Sequence, residues 1–290
     1  MVRRSDGPAG LRRLARDALS EDRVARDRTT RAVVSGGRRA VGSVTAQAPG
    51  VLSGLSAAVA VARSAGLRVT FAGRDGRRVR RGTRVLTVAG DARRILAAER
   101  TILNFLMHAS GVATTTAQAV ANARGARPPL EVWGTRKTLP GLRDLEKAAV
   151  RHGGGRPHRR DLSDGILIKN NHLALVPLRA AVRRARTVAV PGERVQVEVR
   201  SAREAVEAVR AGADALLLDN LSPARARRVV SALRSAGLRR GCWVELSGGI
   251  TPETIRRYRS VGADAASLGA LTHSAPALPF HLSLRPLPGS

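Results

Sequence analysis

The sequence predicts an α/β protein in which a small N-terminal α+β unit precedes a larger α/β barrel. From residue 130 onward, short apolar runs alternate with amphipathic helices. Apolar strands separated by helices belong in a parallel sheet that the helices cover. Nearly every run also ends in a residue that chemistry can use. In a barrel the carboxyl ends of the strands converge on one rim. The alternative is an open doubly wound sheet, in which they would spread along an edge. The polar residues at the strand ends therefore favour the barrel.

The first unit is predicted from Val41 to Asp91, and a long helix follows it. Its elements are a strand at Val41–Ala48, a helix of small residues at Leu55–Ser64, and strands at Leu67–Ala72 and Val79–Val88 that an Asp75-Gly76 turn joins. Asp91 can cap a long helix that starts near Ala92. The apolar residues of this helix recur at helical spacing, namely Ile95, Ile102, Leu103 and Leu106. We therefore expect a compact α+β unit followed by this helix.

The second part of the chain repeats a strand and a helix. The predicted strands are Leu130–Trp133, Ile166–Ile168, Val195–Val199, Ala215–Leu218, Trp243–Leu246 and Ala265–Leu268. The predicted helices are Leu142–Arg151, Leu175–Arg186, Ser201–Ala211, Pro223–Ala236 and Pro252–Val261. Ser201 with Glu204 is a capping box, and Pro223 behind Ser222 is a second helix start. This repetition predicts the parallel sheet of the barrel.

The residues near the strand ends form two groups of opposite charge. The cationic group is Arg136, Lys137, His158, Arg159 and Lys169. It suits a small substrate with more than one carboxylate, because arginine pairs with carboxylates in a bidentate manner and lysine acts as a point charge. Glu198 and Asp219 lie on later strands and suit Mg²⁺ bound largely through water and substrate oxygens. The alternative is that these two acids neutralise nearby arginines.

Glycine-rich loops follow the last two strands. Ser247-Gly248-Gly249 follows one strand and Gly269-Ala270 follows the other, and one loop leads into a predicted helix. Backbone N–H groups at such a place commonly bind phosphate in barrel enzymes. A plain turn is the alternative for Ser-Gly-Gly, because serine and glycine favour turns generally.

Lysine is rare in this basic protein. Of the 51 basic residues only Lys137, Lys147 and Lys169 are lysines. Where arginine serves almost everywhere, a remaining lysine is a candidate for chemistry that needs a compact ammonium. We expect this of Lys137 and Lys169, each of which follows an apolar run inside a polar cluster, and read Lys147 as an ordinary helical neighbour of Glu146.

Composition limits the class of protein. The net charge of +29 suggests a nucleic-acid partner. However, aromatic residues are 2% of the chain and the cations are spread along it, so we expect no specific nucleic-acid binding. No apolar run is long enough to span a membrane, and Met1 to Gly10 contains no apolar leader, so we expect a cytoplasmic protein. The one cysteine, Cys242, excludes an internal disulfide and a cysteine-built metal site.

An ordered set of motifs that covers almost the whole chain resembles the quinolinate phosphoribosyltransferase family, also called nicotinate-nucleotide diphosphorylase (carboxylating). The motifs are Glu21-Asp22 with Thr29-Thr30, Glu99-Arg100-Thr101 with Asn104-Phe105-Leu106, Ser110-Gly111, Thr135-Arg136-Lys137-Thr138 with Pro140-Gly141, Gly153-Gly154-Gly155, His158-Arg159, Leu167-Ile168-Lys169 with Asn171-His172, Leu218-Asp219-Asn220, Ser247-Gly248-Gly249-Ile250, and Leu268 to Ser274. Each piece is short, and their order makes the resemblance specific.

The resemblance implies a fold and an activity. The fold is an N-terminal α/β sandwich domain of residues 1–105, joined by the tail 275–290, and an open, TIM-like α/β barrel domain of residues 106–274. The family transfers the phosphoribosyl group of 5-phosphoribosyl 1-diphosphate to quinolinate, with Mg²⁺, and releases diphosphate and CO₂ to leave nicotinate mononucleotide for NAD biosynthesis. Its members are homodimers or assemblies of dimers with shared active sites.

The resemblance also implies site residues. The substrate contacts carried over by motif are Arg100, Thr135, Arg136, Lys137, His158, Arg159, Lys169, Glu198, Asp219, Ser247, Gly248, Gly249, Leu268, Gly269 and Ala270. Within this set, Lys137, Lys169, Glu198 and Asp219 are implied as catalytic. Glu198 and Asp219 correspond to the ribose and Mg²⁺ side, and Arg100 to an arginine that enters the neighbouring subunit's pocket.

Three positions depart from the family pattern. Gly134 replaces a frequent Asp, Asn170 stands where Asp is usual, and Gln196 stands where Glu is frequent. We expect Asn170 to weaken a contact that orients Lys169, and Gln196 to remove an acid that points the same way as Glu198. Two alternatives stay open. A relative of the molybdenum-transport-associated type would act on another acid without decarboxylation, and a basic nucleic-acid-coating protein would bind DNA through net charge alone.

Overall fold

The computed structural model describes residues 8–288, and the backbone contacts divide them into two compact units. The first unit contains the chain up to Ala117, Pro140–Gly154 and the chain from Ala275 onward, and the second contains Gln118–Leu139 and Gly155–Ser274. Most of the polar segment Met1 to Gly10, on which the expectation of no leader rests, lies outside the described residues, as do the last two residues of the predicted tail.

The chain up to Ala117 supplies most of the first unit, and its last helix, Ala92–Ala123, continues into the second unit. In order, its elements are α1 (Pro8–Glu21), a 3₁₀ turn (Val24–Arg26), α2 (Arg28–Val33), β1 (Arg39–Ala46), β2 (Gly50–Val51), α3 (Leu55–Ser64), β3 (Arg68–Ala72), β4 (Arg78–Val79), β5 (Arg84–Asp91) and α4 (Ala92–Ala123). The helix predicted at Leu55–Ser64 is confirmed. The Asp91 cap is also confirmed, because Asp91 Oδ1 accepts a hydrogen bond from the Arg94 amide at 3.1 Å.

The remaining elements follow residue 124. They are β6 (Glu131–Trp133), α5 (Arg143–His152), β7 (Ile166–Ile168), α6 (Asn170–Leu173), α7 (Leu178–Val188), β8 (Val195–Val199), α8 (Ala202–Arg210), β9 (Ala215–Asp219), α9 (Pro223–Ser235), β10 (Trp243–Ser247), a 3₁₀ turn (Ile255–Tyr258), β11 (Ala265–Ser267), α10 (Ala270–His273) and β12 (Phe280–Pro286). The predicted Ser201 cap is present, since Ser201 Oγ accepts from the Glu204 amide at 3.2 Å.

Two predicted elements are wrong. The strand predicted at Val79–Val88 is interrupted, because a turn closed by a hydrogen bond from the Thr83 amide to the Arg80 carbonyl separates β4 from β5. The helix predicted at Pro252–Val261 is only the 3₁₀ turn. There the hydroxyls of Thr251 and Thr254 accept hydrogen bonds from each other's backbone amides. Such local side-chain bonds compete with a regular helix.

The main sheet of the first unit is antiparallel with strand order β12-β1-β5-β3. The last strand of the chain thus pairs with β1, so residues 280–286 belong to the same sheet as residues 39–46. The apolar stripe predicted on α4 is buried in the core of this unit, where Ile95, Ile102 and Leu106 are 0% exposed.

The sheet of the second unit has strand order β6-β11-β10-β9-β8-β7, and all of its neighbouring strands are parallel. Among the described residues, no strand ladder closes the sheet between β6 and β7, and a single bridge joins Trp133 to Arg156. A six-stranded parallel sheet with helical connections fits an open TIM-like barrel. The predicted α/β fold is therefore confirmed. No helix in the described part of the chain is long and apolar enough to cross a membrane.

Candidate active site

A cavity of about 260 Å³ lies at the carboxyl ends of the strands of the second unit. Its lining consists of Thr135, Arg136, Lys137, His158, Arg159, Leu167, Lys169, Leu217, Ser247 and Ser267. Seven of these are residues that the sequence analysis singled out, and all five members of the predicted cationic group are among them. The parallel strands cause this convergence, because their carboxyl ends meet at one edge.

Two guanidinium groups stand together in this cavity. Burial and then the positive charge of Arg136 lower the pKa of Arg159, so the two groups are close enough to repel. Arg136 Nε is buried and has no hydrogen-bond partner among the described residues. A buried donor without a partner is costly unless a ligand supplies an acceptor. A planar carboxylate matches this requirement, because it accepts from arginine in a bidentate manner.

Both cavity lysines have exposed side chains on a fixed backbone. The Lys137 amide donates to Thr135 Oγ1 at 3.0 Å, and its carbonyl accepts from Thr272 Oγ1 at 2.7 Å. Lys169 follows β7, and its amide donates to His172 Nδ1 at 2.8 Å. Lys147, the third lysine, is buried on α5 in the first unit. The structure therefore separates the two lysines that the sequence favoured from the one that it did not.

Glu198 and Asp219 lie at the ends of neighbouring strands. Burial, and next the negative charge of Asp219, raise the pKa of Glu198, and Lys169 partly offsets this. Asn170 Nδ2 donates to Glu198, and Asn220 Nδ2 donates to Asp219 Oδ1 at 2.9 Å. Asn170 thus contacts the acid pair, whereas the sequence analysis expected its effect on Lys169.

The loop after β10 requires glycine for steric reasons. Gly248 has a φ of +86°, and a Cβ at this position would lie 2.3 Å from Asn220 Oδ1 and 2.8 Å from the Asn220 nitrogen. Gly249 also has a positive φ of +63°, but its Cβ would meet nothing closer than 4.0 Å. The Asn220 amide donates to the Ser247 carbonyl at 2.9 Å. The close packing of these two loops therefore depends on Gly248.

The loop after β11 approaches Lys137. A Cβ at Gly269 would lie 2.9 Å from Lys137 Cδ, so a side chain there would displace the lysine. The side chain of Leu268 is fully buried, so this residue can offer a ligand only its backbone. Ala270 begins α10. Arg100 is on α4 in the first unit, and its side chain is exposed.

The sequence analysis missed Glu245, a buried acid in the middle of β10. Its Oε2 accepts from Gln196 Nε2 at 2.9 Å and lies 3.3 Å from His158 Nε2. Gln196 is buried beside this carboxylate, so its role is that of a donor to Glu245. One signal was available in the sequence, because a charged residue stood inside an otherwise apolar run.

Comparisons with known proteins agree with this architecture. The model of the quinolinate phosphoribosyl transferase N-terminal domain matches residues 27–110, and that of the C-terminal domain matches residues 112–283. A probable nicotinate-nucleotide pyrophosphorylase [carboxylating] of Methanothermobacter thermautotrophicus is 41% identical over 94% of this chain and 99% of its own. The nicotinate-nucleotide pyrophosphorylase [carboxylating] of Mycobacterium leprae is 39% identical over 93% of this chain and 95% of its own.

Solved structures give the same result. The crystal structure of NadC from Streptococcus pyogenes superposes with a TM-score of 0.87 at 38% identity, covering 97% of this chain and 98% of that one. The nicotinate-nucleotide pyrophosphorylase of Francisella tularensis superposes with a TM-score of 0.86 at 32% identity, covering 97% and 98%. Because both domain models match in order and together span most of the chain, this protein belongs to the quinolinate phosphoribosyl transferase family.

Proposed function

We propose that this protein transfers the phosphoribosyl group of 5-phosphoribosyl 1-diphosphate to the ring nitrogen of quinolinate, with release of diphosphate and CO₂. The product is nicotinate mononucleotide. Family membership and the names of the relatives support this proposal. The observation that carries it is the pair of guanidiniums in a small cavity, with a pair of carboxylates on the neighbouring strands of the same sheet.

Quinolinate carries two carboxylates on adjacent ring carbons, and the cationic residues suit such a dianion. Arg136 offers an Nε without a hydrogen-bond partner among the described residues. Arg159 adds a second guanidinium, whose pKa is lowered by burial and by the charge of Arg136. A dianion relieves this repulsion on binding. Lys137 and Lys169 line the same cavity and add compact ammonium groups. This set of residues favours a substrate with two carboxylates over one with a single carboxylate.

The two acids suit a divalent cation that is shared with substrate oxygens. Burial and like charge raise the pKa of Glu198, and a cation placed between it and Asp219 would remove that cost. Two protein carboxylates suit Mg²⁺, because this ion usually keeps waters and substrate phosphates as its other ligands. When bound there by Glu198 and Asp219, Mg²⁺ would neutralise charge on the departing diphosphate.

The two charged groups fit the charges that develop during the reaction. As the bond between C1 of the ribose and the diphosphate breaks, the sugar becomes positive and the diphosphate negative. Glu198 and Asp219 stabilise the positive sugar, and backbone amides of Ser247, Gly248 and Gly249 suit phosphate oxygens. The ring nitrogen of quinolinate then forms the new bond and becomes quaternary. The carboxylate on the adjacent ring carbon then leaves as CO₂, and the positive ring nitrogen stabilises the electron pair that remains on that carbon. A proton takes the place of the lost carboxylate. Nearby cations help to stabilise the negative charge that develops on the carbon.

The assembly belongs to the same proposal. We propose a homodimer, or an assembly of dimers, in which Arg100 of one subunit enters the active site of its partner. Arg100 is an exposed arginine on the long helix α4, before the strands that supply the cavity residues. An additional cation from a partner would complete the binding of an anionic substrate.

One incubation tests the reaction. Purified protein is mixed with Mg²⁺, phosphoribosyl diphosphate and quinolinate labelled with ¹³C in the carboxyl at C2, and the products are identified by mass. We expect nicotinate mononucleotide and ¹³CO₂ in equal amounts. If no ¹³CO₂ forms from quinolinate, and a parallel incubation with another acid gives a product, the molybdenum-transport-associated alternative is indicated. DNA binding that falls steeply with salt, without any transferase product, would indicate the nucleic-acid-coating alternative.

A further inference from the structure

Glu245 is an unusual residue for its place. It lies in β10 with apolar neighbours Val244 and Leu246, and its side chain is 2% exposed. It does not line the 260 Å³ cavity, but it does line a neighbouring cavity of about 450 Å³ in the same unit. A buried carboxylate is costly unless hydrogen bonds or charges hold it. Glu245 therefore needs partners, and its partners reach the candidate active site.

Hydrogen bonds favour the ionised form of Glu245, and burial opposes it. Burial raises the pKa of this carboxyl, whereas the hydrogen bonds of His158 and Gln196 lower it. Gln196 Nε2 donates to Oε2 at 2.9 Å, and His158 Nε2 lies 3.3 Å from the same oxygen. Glu245 thus presents Oε2 to His158 and Gln196, while its buried Oε1 has no hydrogen-bond partner among the described residues.

The other ring nitrogen of His158 shows which tautomer is present. The Arg159 backbone amide donates to His158 Nδ1 at 2.7 Å. An atom that accepts a hydrogen bond carries a lone pair, so the ring hydrogen is on Nε2, the nitrogen that faces Glu245. The ring also packs edge-on against Trp133, with 5.6 Å between centroids. Both ring nitrogens are therefore engaged within the protein, and one of them holds the main chain of Arg159.

We infer that Glu245 is a positioning residue that acts through His158: it fixes the Nε2–H tautomer, and His158 then fixes the backbone from which the Arg159 guanidinium enters the substrate cavity. The inference rests on the proposed function for its kinetic consequences. In this arrangement His158 is neutral and holds the backbone of Arg159 in place. The positive charge of the cavity then comes from the arginines and lysines. Glu245 itself contacts no substrate.

The main test is the isosteric change Glu245→Gln, which removes the charge and retains the shape. The KM for quinolinate should rise by about 10- to 100-fold, because a displaced guanidinium loses much of its effect. The affinity for phosphoribosyl diphosphate should change by less than about twofold. The matched control is Glu131→Gln on β6, where the carboxylate accepts from Trp133 Nε1 at 2.8 Å and pairs with Arg156 at 3.1 Å. The control should retain parental kinetics.

A purely structural role predicts something different. Equal losses for both substrates, or a fall in folded protein with parental KM values for the remainder, would overturn the inference. A cycle with His158→Asn sharpens the comparison, because residues that act through one another are not additive. The double variant should be no worse than His158→Asn alone, and additive losses would contradict the proposed coupling.

A measurement on the unaltered protein does not depend on any variant folding well. Nitrogen-15 NMR of histidine-labelled protein, with the His158 signals identified by their loss in His158→Asn, should find Nε2 protonated and Nδ1 unprotonated at neutral pH. An imidazolium, or the opposite tautomer, would overturn the inference. If the parent protein makes no nicotinate mononucleotide, the proposed function fails, while this spectrum still tests the link between Glu245 and His158.

Discussion

The cationic side and the acidic side of the candidate site are built on the same principle with opposite signs. The cationic side is Arg136, Lys137, Arg159 and Lys169, and the acidic side is Glu198 and Asp219. Burial first, and then a like charge close by, lower the pKa of Arg159 on one side and raise that of Glu198 on the other. On each side the repulsion between like charges is therefore relieved when an oppositely charged ligand binds. The difference in sign is the basis on which we propose a dicarboxylate for one side and a cation with a sugar phosphate for the other.

The largest expected effect concerns the geometry of the cationic side. Lys137→Arg and Lys169→Arg conserve charge but replace a compact ammonium with a planar fork. We expect each to lower kcat/KM by about 100-fold or more, since a misplaced group costs that much. Steady-state kinetics measure the loss, and thermal melting checks the fold. Activity within about threefold of the parent, well under 1 kcal/mol, would mean that only charge matters on this side.

The next prediction asks whether the cationic side is complete within one subunit. Arg100→Ala and Lys169→Ala should each be inactive, but a mixture unfolded and refolded together should recover activity. In a two-fold dimer half of the molecules are hybrids, and each hybrid has one intact site, so about a quarter of parental activity should return. If mass measurement finds hybrids and the mixture stays inactive, Arg100 acts within its own subunit or only supports its helix.

A backbone change tests the loop after β10, which we propose binds phosphate. Gly248→Ala should destabilise the protein by about 1–3 kcal/mol, because a positive φ and a clash with Asn220 both oppose a Cβ. It should also weaken phosphoribosyl diphosphate binding. The matched control, Gly249→Ala, has the positive φ without the clash. Denaturant unfolding measures both variants, and equal costs would mean that the contact with Asn220 is unimportant.

The acidic side predicts a pH dependence. Because the pKa of Glu198 is raised, this carboxyl takes up a proton at a higher pH than an ordinary glutamate as the pH falls. The affinity for Mg²⁺ with phosphoribosyl diphosphate should decline over that range. Asp219→Asn removes the like charge and lowers the pKa of Glu198, so the decline should move to lower pH. Titrations at several pH values measure it, and an unmoved or upward-shifted decline would contradict the coupling.

Local signals explain what the sequence predicted. The strands of the barrel are short apolar runs, and Asp91 and Ser201 are caps that act within three residues, so these features can be read from neighbours in the chain. The same logic could have found α1, where Leu11, Leu14 and Ala18 recur at helical spacing. It failed at residues 252–261, because the hydroxyls of Thr251 and Thr254 replace helical hydrogen bonds.

Contacts distant in sequence explain what the residue pattern alone did not show. The residue pattern of β12 does not reveal that it pairs with β1, more than two hundred residues earlier, and only the family resemblance led us to expect that the tail 275–290 joins the N-terminal domain. Glu245 appears in the sequence as one acid in an apolar strand, and its meaning depends on Gln196 and His158. Arg136, Lys137 and Lys169 could be predicted as a group because each follows a strand end, whereas His158 and Arg159 lie in the connection before β7. The unpartnered Nε of Arg136 required the structure.

The most direct test of the division into two sides is calorimetry with both ligands on three variants. Arg136→Lys should weaken quinolinate binding at least tenfold, about 1.4 kcal/mol, and change the affinity for phosphoribosyl diphosphate with Mg²⁺ by less than about twofold. Glu198→Ala and Asp219→Ala should give the reverse pattern. Loss of quinolinate affinity in the two acid variants, with phosphoribosyl diphosphate affinity untouched, would show that the ligands have been assigned to the wrong sides.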